Sequence, residues 1–291
     1  VQLSSLHILL TYQCTLECDH CFVWGSPWQR GTLTHSQIHA ILVQAKETGS
    51  IASIYFEGGE PFLFYATLLS GVYAAAGMGF QVGIVSNAYW ANSAEDARTG
   101  LQPFAGHLTD LTLSTDSYHS SEPMAAQVRN ALQAAADLGI PAGTICIPEP
   151  EASAAQEGTL MYRGRAARKL AGRANRLFPW DEFQRCPYED LKEPGRVHVD
   201  PLGNIHVCQG ISIGNLFQQP LKEICARYDP EADPVIGVLL EGGPAALIRE
   251  YSLPHVPEYA DACHACFEAR LALRSRFPTI LTPDQMYASQ S

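Results

Sequence analysis

Cys14, Cys18 and Cys21 lie close together in TYQCTLECDHCF, with the spacing C-x3-C-x2-C. Three thiolates on one tight loop can hold three corners of a four-iron cluster. The fourth iron is then left without a protein ligand and is open to chemistry. A fully ligated cluster, by contrast, mainly stores or passes electrons. A zinc loop or a set of buried free thiols is the plainer alternative. His20 lies between two of these cysteines, and one loop is poorly placed to aim all four at a single ion. A second set follows far along the chain: Cys186, 21 residues, Cys208, 54 residues, Cys263, two residues, Cys266. Four thiolates can ligate another cluster completely, or a tetrahedral zinc. Cys146 and Cys225 read as core residues in a strand and a helix, with Cys225 the reserve ligand.

The elements that must position these residues alternate. LHILLTY, residues 6–12, is an apolar strand that runs straight into the first cysteines. TLTHSQIHAILVQAKETG follows as a helix, and residues 51–61 form a second strand ending in Gly58-Gly59-Glu60-Pro61. Further strands are expected at 80–90, 108–116 and 140–149, with a weaker sixth at 158–164. A helix over 120–139 opens with serines, Glu122 and Pro123 and closes on Gly139. Strand–helix–strand units at this spacing imply a parallel sheet with right-handed crossovers. Residues 196–208, RVHVDPLGNIHVC, alternate around a Gly-Asn turn as a β-hairpin that delivers Cys208. A short helix follows it, and Cys263 and Cys266 open a final helix.

The C-x3-C-x2-C loop after the first strand and GGE-P after the second resemble the radical S-adenosylmethionine (radical SAM) superfamily. That resemblance implies an α/β fold: a partial (β/α)6 TIM-like barrel over residues 1–178, then a small α+β auxiliary-cluster domain over 179–291. The second cysteine set is similar to the twitch-type domain, a shortened relative of the SPASM domain, in which Cys186, Cys208, Cys263 and Cys266 hold a second 4Fe-4S cluster. The resemblance also implies the cofactor contacts. Gly58, Gly59 and Glu60 would hold the methionyl amine of SAM. Ser86, Asn87, Ser114 and Asp116, at strand ends, would serve its ribose and carboxylate, and Phe22 would pack near adenine. Ala88 stands where relatives often carry glycine, so its backbone should avoid a glycine-only geometry.

RGRAARKLAGRANR, residues 163–176, holds six of the chain's 19 basic residues. It is either a solvated helix face or a functional segment. In the second case Arg163 or Arg165 would bind a carboxylate at the barrel mouth, and the rest would dock an acidic electron donor such as flavodoxin or ferredoxin. The implied first step is reductive cleavage of SAM to a 5′-deoxyadenosyl radical, followed by hydrogen abstraction from a small molecule or peptide. Oxidation, with the second cluster accepting an electron, is the leading outcome. The alternative is a redox-neutral epimerisation, rearrangement or glycyl-radical activation. No catalytic acid or base stands out. Tyr89, Trp90, Tyr118 and His119 are expected near the mouth, with Trp24 and Trp28 covering the first cluster.

Composition narrows the partners. The chain has 291 residues, is 46% hydrophobic and carries a net charge of −11, which argues against nucleic acid. The stretch 70–91 is the nearest thing to a membrane span, but glycines and polar residues divide it. No leading signal segment is evident, so the nine cysteines point to a reducing, cytoplasmic setting. The short N-terminus is expected to leave no room for a peptide-leader-binding domain, which tips the expected substrate slightly toward a small molecule or a protein with its own docking helper.

Overall fold

The computed structural model describes residues 1–119, 126–151 and 159–288. In its first half, strands and helices alternate as β1 (Ser5–Thr11), α1 (His35–Thr48), β2 (Ser53–Gly58), α2 (Tyr65–Gly77), β3 (Gln81–Ser86), α3 (Ala94–Leu101), β4 (Asp110–Ser114), α4 (Ala126–Asp137) and β5 (Ala142–Ile145). The helices are set by ordinary local signals. In α1, Ile38, Ile41, Leu42 and Ala45 make one buried stripe. Thr34 and Gln37 close a capping box at its start, and Gly49 ends it in the left-handed conformation at φ 73°. The expected start of the helix before α4, at 120–125, lies outside the described residues.

The rest of the chain forms α5 (Arg165–Lys169), β6 (Phe178–Pro179), β7 (Arg196–Val199), β8 (Asn204–Cys208), β9 (Ile211–Asn215), α6 (Leu221–Arg227), α7 (Ile236–Glu250), β10 (Glu258–Tyr259) and α8 (Ala262–Leu273). Helix α7 is two helices joined at a kink, where Gly242, Gly243 and Pro244 interrupt the regular backbone. It had no counterpart among the elements expected from sequence.

One eight-stranded sheet runs through both halves, in the order β5-β4-β3-β2-β1-β7-β8-β9. Strands β1 to β5 are parallel to one another, and β7 pairs parallel with β1 on its other side. The hairpin β7–β8 and strand β9 then extend the sheet antiparallel. This is a mixed α/β fold with a parallel central sheet, as expected of a partial barrel with an added domain.

The weak sixth strand expected at 158–164 is corrected: residues 159–164 form no strand. Their backbone donors go elsewhere. Tyr162 N–H donates to Asp261 Oδ2 at 3.2 Å, Arg163 N–H to the Met161 carbonyl at 2.8 Å, and Arg165 N–H to the Cys21 carbonyl at 3.0 Å. The sixth parallel member of the sheet is β7, on the opposite edge of β1. A buried cluster ties it there. Tyr12, just past β1, donates through its hydroxyl to Asp200 Oδ2 at 2.8 Å, and the same oxygen meets His206 Nε2 at 3.0 Å. Asp200 Oδ1 accepts from Leu202 and Asn204 N–H, which shapes the hairpin turn.

Candidate active site

The C-terminal ends of the parallel strands surround a cavity of about 640 Å³. Cys14, Cys18 and Cys21 all line it. Their loop is stitched at both ends: Cys14 N–H donates to the Ser26 carbonyl at 3.0 Å, and Thr11 Oγ1 to the Gly31 carbonyl at 3.0 Å. Two backbone N–H groups aim at sulfur, Gly25 at Cys21 (3.2 Å) and Leu16 at Cys14 (3.5 Å). Arg165 is buried behind the loop. It donates from Nη1 to the Cys18 carbonyl at 2.7 Å and from Nη2 to the Gly25 carbonyl at 2.8 Å. Its side chain is thus spent on the cysteine loop, not on the cavity.

Burial pushes the Cys14 thiol up to about 12, and Cys18 shifts the same way. Thiolates in this loop therefore require a strong positive partner, and the guanidinium nearest them already serves carbonyls. A metal cluster would supply that charge, and the three-thiol donor set fits one.

Gly58 and Gly59 line the cavity beside the loop, and the structure shows why both are glycine. At Gly58, with φ 137°, a Cβ would stand 2.4 Å from the Thr11 carbonyl oxygen; at Gly59 it would stand 2.1 Å from that of Gln13. The close approach is therefore to the β1 loop itself. Gly59 N–H donates to Thr11 at 2.7 Å and Glu60 N–H to Gln13 at 2.8 Å. Glu60 is wholly buried. Its Oε1 accepts from Phe62 N–H (3.0 Å) and Ser86 Oγ (2.9 Å), and its Oε2 from Asn87 N–H (2.8 Å). Glu60 thus joins the end of β2 to the end of β3. Burial pushes its carboxyl up to about 7, against the lowering effect of those hydrogen bonds.

Ser86, Asn87, Ser114 and Asp116 line the cavity as their strand-end positions suggested, and Phe22 joins them. Ala88 differs from expectation. It is buried and adopts the left-handed region at φ 60°. Asp116 is buried beneath two imidazoles, with Oδ1 2.6 Å from His119 Nδ1 and Oδ2 3.8 Å from His20 Nε2. Burial would raise Asp116, but His119 and His20 outweigh it and hold the carboxyl low. His20 stacks on Tyr118 at 4.6 Å between centroids. Trp90 is a packing residue, stacked on Phe62 at 4.4 Å, and Trp28 is exposed at the surface.

One polar group on the cavity wall escaped the reading of the sequence. His7 of β1, Glu57 of β2 and His198 of β7 face inward from adjacent strands. Glu57 Oε1 lies 2.8 Å from His7 Nδ1 and 3.2 Å from His198 Nε2. Burial pushes Glu57 up, yet His198 and His7 outweigh it and keep the carboxylate ionised. The available signal was a polar residue at the inward position of otherwise apolar strands.

The four later cysteines also converge. Cys186, Cys208, Cys263 and Cys266 line one small cavity between the hairpin, α7 and α8. All nine cysteines are free of disulfides. Cys146 and Cys225 line neither cavity. Arg163 lines both, its guanidinium 5.3 Å from the Phe22 ring centre and its Nη1 2.9 Å from Glu189 Oε1. In the basic segment following it, Arg168 pairs with Glu268, and Arg173 with Glu149 and Glu151. Both arginines remain about half exposed, at 48% and 47%.

No protein-family profile matches the chain. Over 131 residues it is 25% identical to YydG of Bacillus subtilis (strain 168), named for peptide biosynthesis; the match covers 45% of this chain and 41% of that protein. Two solved structures share its fold. BtrN, in complex with AdoMet and 2-DOIA, superposes with a TM-score of 0.56 at 15% identity, covering 83% of this chain and 89% of BtrN. Streptococcus suis SuiB, bound to S-adenosylmethionine, gives 0.55 at 14% identity, covering 81% of this chain and 67% of SuiB. The C-x3-C-x2-C loop and the GGE-P turn, the motifs that resemble the radical SAM superfamily, are thus seated on a fold shared with two structures solved with S-adenosylmethionine bound.

Proposed function

We propose that this protein is a radical SAM oxidoreductase, and that the substrate-oxidising reaction takes place in the cavity above the parallel strands. The observation that carries this reading is the shared wall. Three cysteines of one loop, the paired glycines and the polar strand ends all line one space of about 640 Å³. When bound, SAM and a three-cysteine 4Fe-4S cluster supply a 5′-deoxyadenosyl radical, and a second 4Fe-4S cluster supplies an electron acceptor.

The chain's own residues account for the rest. Cys14, Cys18 and Cys21 hold the first cluster, and Arg165 fixes their loop from behind. Gly58 and Gly59 offer backbone to the methionyl end of SAM, with Glu60 holding that turn against Ser86 and Asn87. Ser114, Asp116 and Phe22 face the nucleoside. Cys186, Cys208, Cys263 and Cys266 hold the second cluster. Among the described residues, the only groups of three or more His, Cys, Asp or Glu ligand atoms within 4.8 Å of one another are two His-carboxylate sets, so no three of these sulfurs are that close. A tetrahedral zinc would need its sulfurs about 3.8 Å apart. That wider spacing supports a cluster over a single ion.

A peptide is the favoured substrate. YydG carries peptide biosynthesis in its name. A small molecule is the second reading, since BtrN was solved with 2-DOIA. A flavodoxin or ferredoxin would deliver the reducing electron. No helix of the described residues is long and apolar enough to cross a membrane.

The test is anaerobic reconstitution, iron quantitation, and incubation with SAM and dithionite. About eight irons per chain and release of 5′-deoxyadenosine are expected for two four-iron clusters. Intact clusters with no nucleoside released would overturn the reading. Retained nucleoside release with lost product formation in Cys208→Ala would separate an electron-accepting second cluster from a redox-neutral reaction.

A further inference from the structure

The wall of the cavity carries a second constellation that the radical chemistry does not use. His7 and His198 are direct register partners on the neighbouring parallel strands β1 and β7. Glu57 comes from β2, on the other side of β1. All three side chains reach the cavity and are 14%, 16% and 14% exposed for His7, His198 and Glu57. One ligand atom from each falls within 4.8 Å of the other two.

From this geometry we propose that His7, Glu57 and His198 form a divalent transition-ion site whose open positions face the cavity and take an oxygen donor of the substrate. Ligands on neighbouring positions about one ion with bonds of about 2.1 Å stand roughly 3 to 3.4 Å apart. The two contacts to Glu57 Oε1, at 2.8 and 3.2 Å, are close to that spacing. The ligands sit on three adjacent strands of one sheet, so their backbone positions are fixed by ladder hydrogen bonds. Two imidazoles and one carboxylate on one side of an ion leave the opposite side open, the donor set of a catalytic or substrate-binding site instead of a closed structural one.

The plainer account is a hydrogen-bonded His–Glu–His set that only fills the wall. It leaves unexplained why three polar groups gather at the inward positions of the central strands, where apolar residues pack best. Two neighbouring groups do not compete for the ion. Tyr55 stacks on His7 at 4.8 Å without supplying a ligand, and Arg196 is turned toward Glu189 at 3.7 Å. The substrate class this site selects is one carrying a carboxylate or hydroxyl oxygen near the reacting carbon. That last step rests on the radical reading above; binding of the ion does not.

Manganese(II) is a suitable probe, because it avoids the thiolate sites that zinc would enter. Tag-free protein, with both clusters loaded and left in their oxidised, EPR-silent state, is titrated with Mn2+. One tight Mn2+ per chain is expected, with electron spin-echo modulation from two imidazole nitrogens. Glu57→Gln should weaken binding at least tenfold, and His198→Gln should reduce the modulation to one nitrogen. Absence of a tight site in the wild type overturns the proposal. So does a tight site that persists unchanged in both variants while cluster absorbance and circular dichroism are retained. Should either variant lose its clusters, His7→Gln takes its place, with the same loss expected. Oxalate, a bidentate oxygen donor, should alter the Mn2+ spectrum; an unaltered spectrum overturns the substrate-binding part alone. Release of 5′-deoxyadenosine from the wild type is read separately, so failure here and failure of the radical reading are distinguishable.

Discussion

Arg163 Nη1 lies 3.9 Å from the sulfur of Cys208, while the same guanidinium rests on Phe22, next to Cys21. One cation thus stands between the two cysteine sets. It is buried, paired with Glu189, and fixed by the tight turn at Met161–Arg163. A positive charge this close to a cluster ligand favours the reduced cluster. If Cys186, Cys208, Cys263 and Cys266 hold the proposed second cluster, replacing Arg163 with Gln should therefore lower its midpoint potential by on the order of 50 mV, a conversion from screened Coulomb energies at this range. Arg163→Lys should give a smaller shift. An EPR-monitored redox titration of both variants checks this, and an unchanged potential in Arg163→Gln would refute it.

Gly59 and Gly77 make a matched pair for stability. A methyl at Gly59 collides with the Gln13 carbonyl at 2.1 Å, and both sides of that contact are backbone. The β2 end cannot move away without breaking the hydrogen bonds from Gly59 and Glu60 to the cysteine loop. Gly59→Ala should cost about 3 kcal/mol or more and lower the iron content of the first set selectively. Gly77 ends α2 in open space, with nothing within 4 Å of where an added methyl would stand, so Gly77→Ala should be neutral or stabilising by up to about 1 kcal/mol. Urea unfolding with iron analysis distinguishes the two. Equal iron loss in both variants would contradict the steric account.

Much of this could be read in the chain because the signals were local. Apolar runs, the capping box at Thr34, the hairpin turn near Gly203 and the cysteine spacings each report on a few neighbouring residues. What escaped was nonlocal. Residues 159–164 look like a strand in isolation, yet the Asp261 carboxylate, far away in sequence, takes the Tyr162 N–H, and the Cys21 carbonyl takes that of Arg165 just beyond the stretch. The place of β7 beside β1 depends on Tyr12 reaching Asp200, 188 residues on. The His7–Glu57–His198 group exists only because three strands meet. Arg165 was legible as important but not as a clamp on loop carbonyls, since nothing in its neighbours names Cys18 and Gly25 as its partners.

The Tyr12–Asp200 bond itself is testable. Both groups are buried, and the hydroxyl gives its proton to a carboxylate oxygen that His206 and Asn204 also approach. Tyr12→Phe removes one donor and leaves the carboxylate still paired, so a loss of about 1 to 2 kcal/mol is expected. Asp200→Ala leaves the tyrosine hydroxyl, the Leu202 and Asn204 N–H groups, Asn204 Nδ2 and His206 Nε2 without their shared partner and should cost about 3 kcal/mol or more. Chemical denaturation orders the two variants. A Tyr12→Phe cost equal to that of Asp200→Ala would mean that the hairpin anchor runs through the tyrosine alone.

Glu60 gives the protein a pH dependence with a definite sign. Its carboxyl is raised by burial to about 7 in the folded chain, above its unfolded value near 4.5. Between these two values the native state binds the proton more tightly than the unfolded state does. Stability from this group is therefore fully present below the unfolded value and is lost as pH rises through about 7. The SAM-free wild type should lose melting temperature between about pH 4.5 and 7 relative to Glu60→Gln, whose neutral amide cannot titrate. The difference between the two proteins, followed across that range, isolates Glu60 from the other carboxylates. A constant difference would show that the donors from Phe62, Ser86 and Asn87 hold the carboxylate ionised throughout, with burial the lesser effect.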